Sequence, residues 1–161
     1  MSDQKETQML HYDPRTISIN VYQKLKAVKD NTQDSKDNER QKKHDKQRSQ
    51  AIELYTYIAT WGLLRLKGEE TALRNEPEKQ KVVACFFEAL GKLVFPSIGS
   101  NLNSPNSLTG NAGLTKLMDL DASEYLGITG VALQVAREFS FWAESLYPKS
   151  RNNITVNQTT H

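Results

Sequence analysis

The sequence predicts an all-α fold, a compact bundle of four to six helices with a polar N-terminal segment and a disordered C-terminal tail. Three observations carry this expectation. Apolar residues recur at spacings of three and four over most of the chain, no stretch alternates with the two-residue period of a half-buried strand, and Asp, Pro and Gly stand where helix ends need them. The 161 residues suit one domain. With 37% hydrophobic and 25% charged residues, the composition is lean for a packed chain, so part of it is expected to stay outside the core.

Asp13-Pro14 opens the first helix, since Asp caps well and Pro is tolerated at the first helical position. Ile19, Tyr22, Leu25 and Val28 follow at helical spacing, with Lys24, Lys26 and Lys29 off that stripe. Residues 30–50 contain no apolar side chain to bury and read as a mobile linker or a solvated helix. Composition changes at Ala51. A helix from Ile52 to Lys67 carries one apolar row through Ile52, Tyr55, Ala59, Leu63 and Leu66, and a second through Leu54, Ile58 and Trp61. Gly68 is the expected terminator.

Pro77, flanked by Glu76 and Glu78, starts a helix bearing Val82, Val83, Phe86, Phe87, Leu90, Leu93 and Val94, and Pro96 stops it. The Gly, Ser, Asn and Pro content of residues 97–113 marks a loop. Asp121 with Glu124 forms a variant capping box for the last helix, which runs through Tyr125, Ala132, Ala136, Phe139 and Trp142 to Pro148. Gly127 and Gly130 inside it either admit a close neighbour or divide the helix in two. The domain organisation is therefore a short helix and charged segment over 1–50, a bundle core over 51–148, and a tail over 149–161. Two N-x-T matches in that tail, at Asn153 and Asn157, are read as part of a polar tail.

Chemistry-bearing residues are sparse. Cys85 lies within an apolar helix face and reads as a small buried hydrophobe. His11, His44 and His161 share no ligand spacing. Asp119 and Asp121 lack a third oxygen ligand, and Gly110 to Lys116 fails the spacing of a phosphate loop. No catalytic residue, metal ligand or cofactor site is expected, and an enzyme is not. The lone cysteine, the polar N-terminus and the lack of an apolar run near ~20 residues predict a soluble cytoplasmic protein with no membrane role.

Charge is the remaining signal. The formal net charge is +2, but residues 1–50 carry 11 basic against 8 acidic side chains. Lys42, Lys43, Lys46 and Arg48 form the densest basic cluster, one able to track a phosphate backbone. Arg65, Lys67, Lys79, Lys81 and Arg137 are added as a basic surface across the bundle. Trp61 and Trp142 are read as core residues rather than base-stacking platforms, because both fall on apolar helix faces.

Two segments resemble the small-subunit family of type III CRISPR effector complexes, of the Cmr and Csm kinds. Thr60-Trp61-Gly62-Leu63 resembles that family's T-N-G-L element, with Trp in place of Asn. Tyr125, Thr129, Ala132 and Leu133, followed by Phe139, Trp142 and Ala143, resemble its closing pattern, with Val131 where Glu is common. The resemblance implies a non-catalytic helical subunit that stacks in several copies beside other effector-complex subunits. Such a subunit lines the groove for guide RNA and target RNA. The alternative is a protein-binding helical adaptor or regulator without a nucleic-acid role. The nine basic residues come from charge clustering alone, since the family's shared positions are packing positions.

Overall fold

The computed structural model describes residues 13–95 and 107–149. Among these are six α-helices and no strand: α1 (Pro14–Asp30), α2 (Asp37–Trp61), α3 (Leu63–Ala72), α4 (Pro77–Val94), α5 (Gly110–Asp119) and α6 (Ala122–Leu146). A 3-10 turn, Leu73–Asn75, joins α3 to α4. The all-α bundle predicted from periodicity is thus the observed architecture. Among the described residues, no helix is long and apolar enough to cross a membrane. The tail from residue 150 onward, with its two N-x-T matches, and most of the predicted loop lie outside the described residues.

The two 25-residue helices α2 and α6 form the most extensive pairing, and α1 and α4 pack against both. Their shared core contains Val21, Leu25, Leu54, Ile58, Phe86, Phe87, Val135 and Phe139, all buried. Phe86 meets Phe87 and Phe139 edge-on, with ring centroids 5.2 and 5.7 Å away. Local caps fix the helix starts. The Asp13 carboxylate accepts the Arg15 amide at 2.9 Å, and Asp121 accepts that of Glu124 at 2.8 Å. α5 begins inside the predicted loop, where buried Leu108 lies so close that a Cβ on Gly113 would fall 2.1 Å from its carbonyl oxygen. Only glycine fits there.

Several expectations are corrected. α2 runs uninterrupted through the boundary placed at residue 50, and buried Gln47 and Gln50 extend its inner stripe back into the polar segment. Of the two alternatives, linker or solvated helix, residues 37–50 are helix, with Gln47 and Gln50 buried and the rest exposed or half-buried. The helix after Ala51 breaks at Gly62, whose φ of 90° and ψ of 160° only glycine adopts readily, whereas Gly68 sits within α3. The inner row of α2 is Leu54 and Ile58; Tyr55 is half-buried and Ala59 exposed. In α1 the inner row is Ile17, Val21 and Leu25, which leaves Ile19 exposed. α6 is one helix, and Cβ atoms on Gly127 and Gly130 would meet open space. These two glycines neither divide the helix nor admit a neighbour.

Candidate nucleic-acid interface

The nine candidate basic residues fall into separate groups. Because α2 is continuous, Lys42 and Lys46 share one face, as their spacing of four requires. Each cluster lysine has a carboxylate partner. Lys42 pairs with Glu39 at 3.0 Å, Lys43 with Asp34 at 3.3 Å, and Lys46 with Glu76, at the start of α4, at 3.2 Å. Hydrogen bonds from the Lys36 amide and the Lys43 ammonium hold the Asp34 carboxyl below its ordinary range. Lys79 and Lys81 stand near the start of α4, where Lys81 pairs with Glu78 at 3.0 Å. This brings α2's basic face and the head of α4 together.

Arg48 turns about 200° around the helix from Lys46, onto the flank that carries Tyr55. It is half-buried, and its Nε has no hydrogen-bond partner among the described residues. On the same flank Arg137 of α6 lies over the Tyr55 ring at 4.9 Å and donates to its hydroxyl at 3.0 Å. Arg65 stands apart, in the first turn of α3, with its guanidinium 4.5 Å from the ring centroid of Trp61 at the end of α2. Lys67 is not on the exposed surface. It is 3% exposed, and its ammonium lies 2.6 Å from Glu70 and 4.6 Å from the Phe87 ring centroid, at a small cleft that Arg74 and Gln80 also line.

Trp61 also departs from expectation, because it is 56% exposed. Its angular position continues the Leu54–Ile58 row, but the chain turns at Gly62 and buried Leu63 takes the next core position. Trp142 is half-buried; it packs edge-on against Tyr22 at 4.9 Å and donates to Ser18 Oγ at 3.1 Å. Phe86, Phe87 and Phe139 are core residues.

A buried polar joint beneath the basic face is not apparent from composition or charge. Gln47 has no solvent exposure; its Nε2 donates to Thr32 Oγ1 at 2.8 Å and to Glu78 Oε2 at 2.5 Å, while its Oε1 accepts the Tyr147 hydroxyl at 2.7 Å. His44 lies edge-on to Tyr147, with ring centroids 5.6 Å apart. Burial works to raise the pKa of Glu78, but hydrogen bonds from Gln47 and Lys81 outweigh it and hold the carboxyl below its ordinary value. The joint ties α2, α4 and the end of α6 to the α1–α2 turn. The one signal in the sequence is the spacing of Gln47, Gln50, Ala51, Leu54 and Ile58, which is a continuous stripe.

Burial pushes the Cys85 thiol up to about 12, which leaves it an unreactive member of the core. No group of three potential metal-ligating side chains occurs among the described residues. Asp121 uses its carboxylate to cap α6. The two segments that carry the family resemblance meet. The Tyr125 hydroxyl accepts the Leu64 amide at 2.9 Å, and so supplies a partner to one of the unpaired N–H groups that follow the Gly62 break. Comparison with family models, with curated proteins and with solved structures finds no match.

Proposed function

We propose that the protein is a non-catalytic small subunit of a type III CRISPR ribonucleoprotein, stacking in several copies and holding guide and target RNA through sequence-independent backbone contacts. One observation carries the reading. The Thr60–Leu63 and Tyr125–Leu133 segments, on which the resemblance rests, form a single joint in which Gly62 supplies the backbone turn and Tyr125 caps the amide beyond it. Two positions serving one local structure are a more specific match than two unrelated runs of core residues. The basic face from Lys42 to Lys46, at the head of α4, is the surface this reading assigns to phosphates.

Co-purification of the tagged full chain from its native cell, with and without nuclease, tests the reading. Guide-length RNA with larger protein partners is the expected result. Clean protein, or partners that persist after all RNA is removed and form no effector complex, would overturn it in favour of the helical adaptor. The adaptor has one observation on its side. Exposed Ile19 and Phe141 flank the Tyr22–Trp142 contact between α1 and α6, an apolar surface suited to a protein partner.

A further inference from the structure

We infer that Trp61 is a base-stacking platform for single-stranded RNA, with Arg65 placed to take the adjacent phosphate; this rests on the RNA-binding reading above. More than half of the Trp61 surface is in solvent, although the Arg65 guanidinium lies 4.5 Å from its ring centroid. The cation lies over one face, and the exposure of the residue as a whole leaves ring surface for a base. A base stacked there would complete a sandwich of cation, indole and base. Cation–π contact and aromatic stacking both favour that arrangement on any of the four bases.

The charge pattern favours an anionic occupant, which the RNA-binding reading above takes to be RNA. Arg65 forms no ion pair with a carboxylate among the described residues, in contrast to Lys42, Lys43, Lys46 and Lys81, which all do. The nearest acidic side chain on its helix face, Glu69, accepts the Tyr57 hydroxyl at 3.3 Å, one turn before Trp61. The guanidinium thus lies against the ring and beside the Tyr57 hydroxyl, with no carboxylate paired to it among the described residues. The Gly62 turn fixes the pair in place, because α2 ends at Trp61 and α3 begins at Leu63. A sequence-tolerant contact of this kind supplements phosphate binding along α2 without reading bases.

The test uses the full chain carrying Trp142→Phe, which leaves Trp61 as its sole tryptophan. Twelve-nucleotide oligoadenylate is titrated against Trp61 emission, with an abasic ribose-phosphate oligomer of equal length as control. Binding is read in parallel by anisotropy of labelled RNA. The expected result is saturable quenching by oligoadenylate at the anisotropy midpoint and little quenching by the abasic oligomer. In the otherwise natural chain, Trp61→Ala should weaken oligoadenylate binding by roughly tenfold, while Trp61→Phe keeps most of the affinity. RNA that binds equally to the natural chain and to Trp61→Ala, with Trp61 emission unchanged, overturns this inference and leaves the RNA-binding reading standing. No RNA binding to the natural chain overturns both. A blue shift that grows with protein concentration in the absence of RNA makes Trp61 a contact between copies and overturns the stacking role.

Discussion

Tyr147→Phe removes one oxygen from the buried joint and leaves its packing in place, so it isolates the value of a single hydrogen bond. Tyr147 is 1% exposed, and its hydroxyl reaches Gln47 Oε1 at 2.7 Å. Gln47 is itself fully buried, with both other contacts, Thr32 and Glu78, made by its nitrogen. Without the hydroxyl, the amide oxygen is left dry and unpaired, at a cost of about 1–3 kcal/mol. For a chain of this size each kcal/mol lowers the melting temperature by about 2–4 °C, so a central loss of about 2 kcal/mol corresponds to about 4–8 °C. Thermal unfolding followed by the helical circular dichroism signal reads the shift. Gln47→Ala should cost more, since it strips a partner from Thr32, Glu78 and Tyr147 and opens a cavity. A Tyr147→Phe melting temperature within about 1 °C of the natural chain's would refute the reasoning, because a dry unpaired amide oxygen cannot be that cheap.

Glycine substitutions should divide by sign. Gly62→Ala, at φ 90° and ψ 160°, should destabilise by about 1–3 kcal/mol, whereas Gly127→Ala and Gly130→Ala, facing open space within α6, should each stabilise by up to about 1 kcal/mol. Urea midpoints check this; a neutral Gly62→Ala would contradict the assigned turn. Acid sensitivity has a defined source in Glu78, whose folded-state pKa lies below the ordinary 4.5. Its contribution is present above that value and lost as pH falls through the depressed one. Glu78→Gln should accordingly flatten the dependence of stability on pH below about 5, and an unchanged slope would refute the assignment. For RNA binding, replacing Lys42, Lys43, Lys46 and Arg48 by Ala should reduce the slope of log affinity against log salt by about 0.7 for each phosphate no longer neutralised. Lys67→Met, at a buried ion pair, should leave that slope unchanged; an unchanged slope in the cluster variant places the interface elsewhere.

What was legible in the sequence was what depends on near neighbours. Asp13 and Asp121 cap their helices through amides two and three residues on, and Pro77 occupies the first turn of α4. For residues 37–50 a helix was one of two legible alternatives, but its docking was not, because that rests on Gln47 meeting partners 15, 31 and 100 residues away. A glutamine in a charged run looks solvated until its three partners are known. The choice between Gly62 and Gly68 as terminator was equally hidden. Both follow apolar helical stretches, and what distinguishes Gly62 is the Tyr125 hydroxyl, 61 residues from the amide it caps. Among the site residues, charge could be counted but pairing could not. Lys67 and Arg65 lie two residues apart on α3, yet one is buried beside Phe87 and the other is exposed over Trp61.

That pairing bears on how an anionic chain would be received. Lys42, Lys43 and Lys46 hold their ammonium groups against Glu39, Asp34 and Glu76, and exposed pairs of this kind are worth only about 0–1 kcal/mol each. A phosphate can therefore take a lysine from its carboxylate at little direct cost, but the released carboxylate remains nearby and repels it. Arg65 and Arg137 face no such exchange. Each is already aligned on an aromatic ring and neither forms an ion pair among the described residues, so less side-chain freedom is lost when an anion arrives. In an RNA-bound state the lysine face would supply the larger number of cations and the steeper salt dependence, while the two arginines would supply contacts that need no carboxylate displaced. An interface ordered in this way would hold RNA first at Arg137 of α6 and Arg65 of α3, over Tyr55 and Trp61 of α2, and engage the lysines only as their carboxylates turn aside.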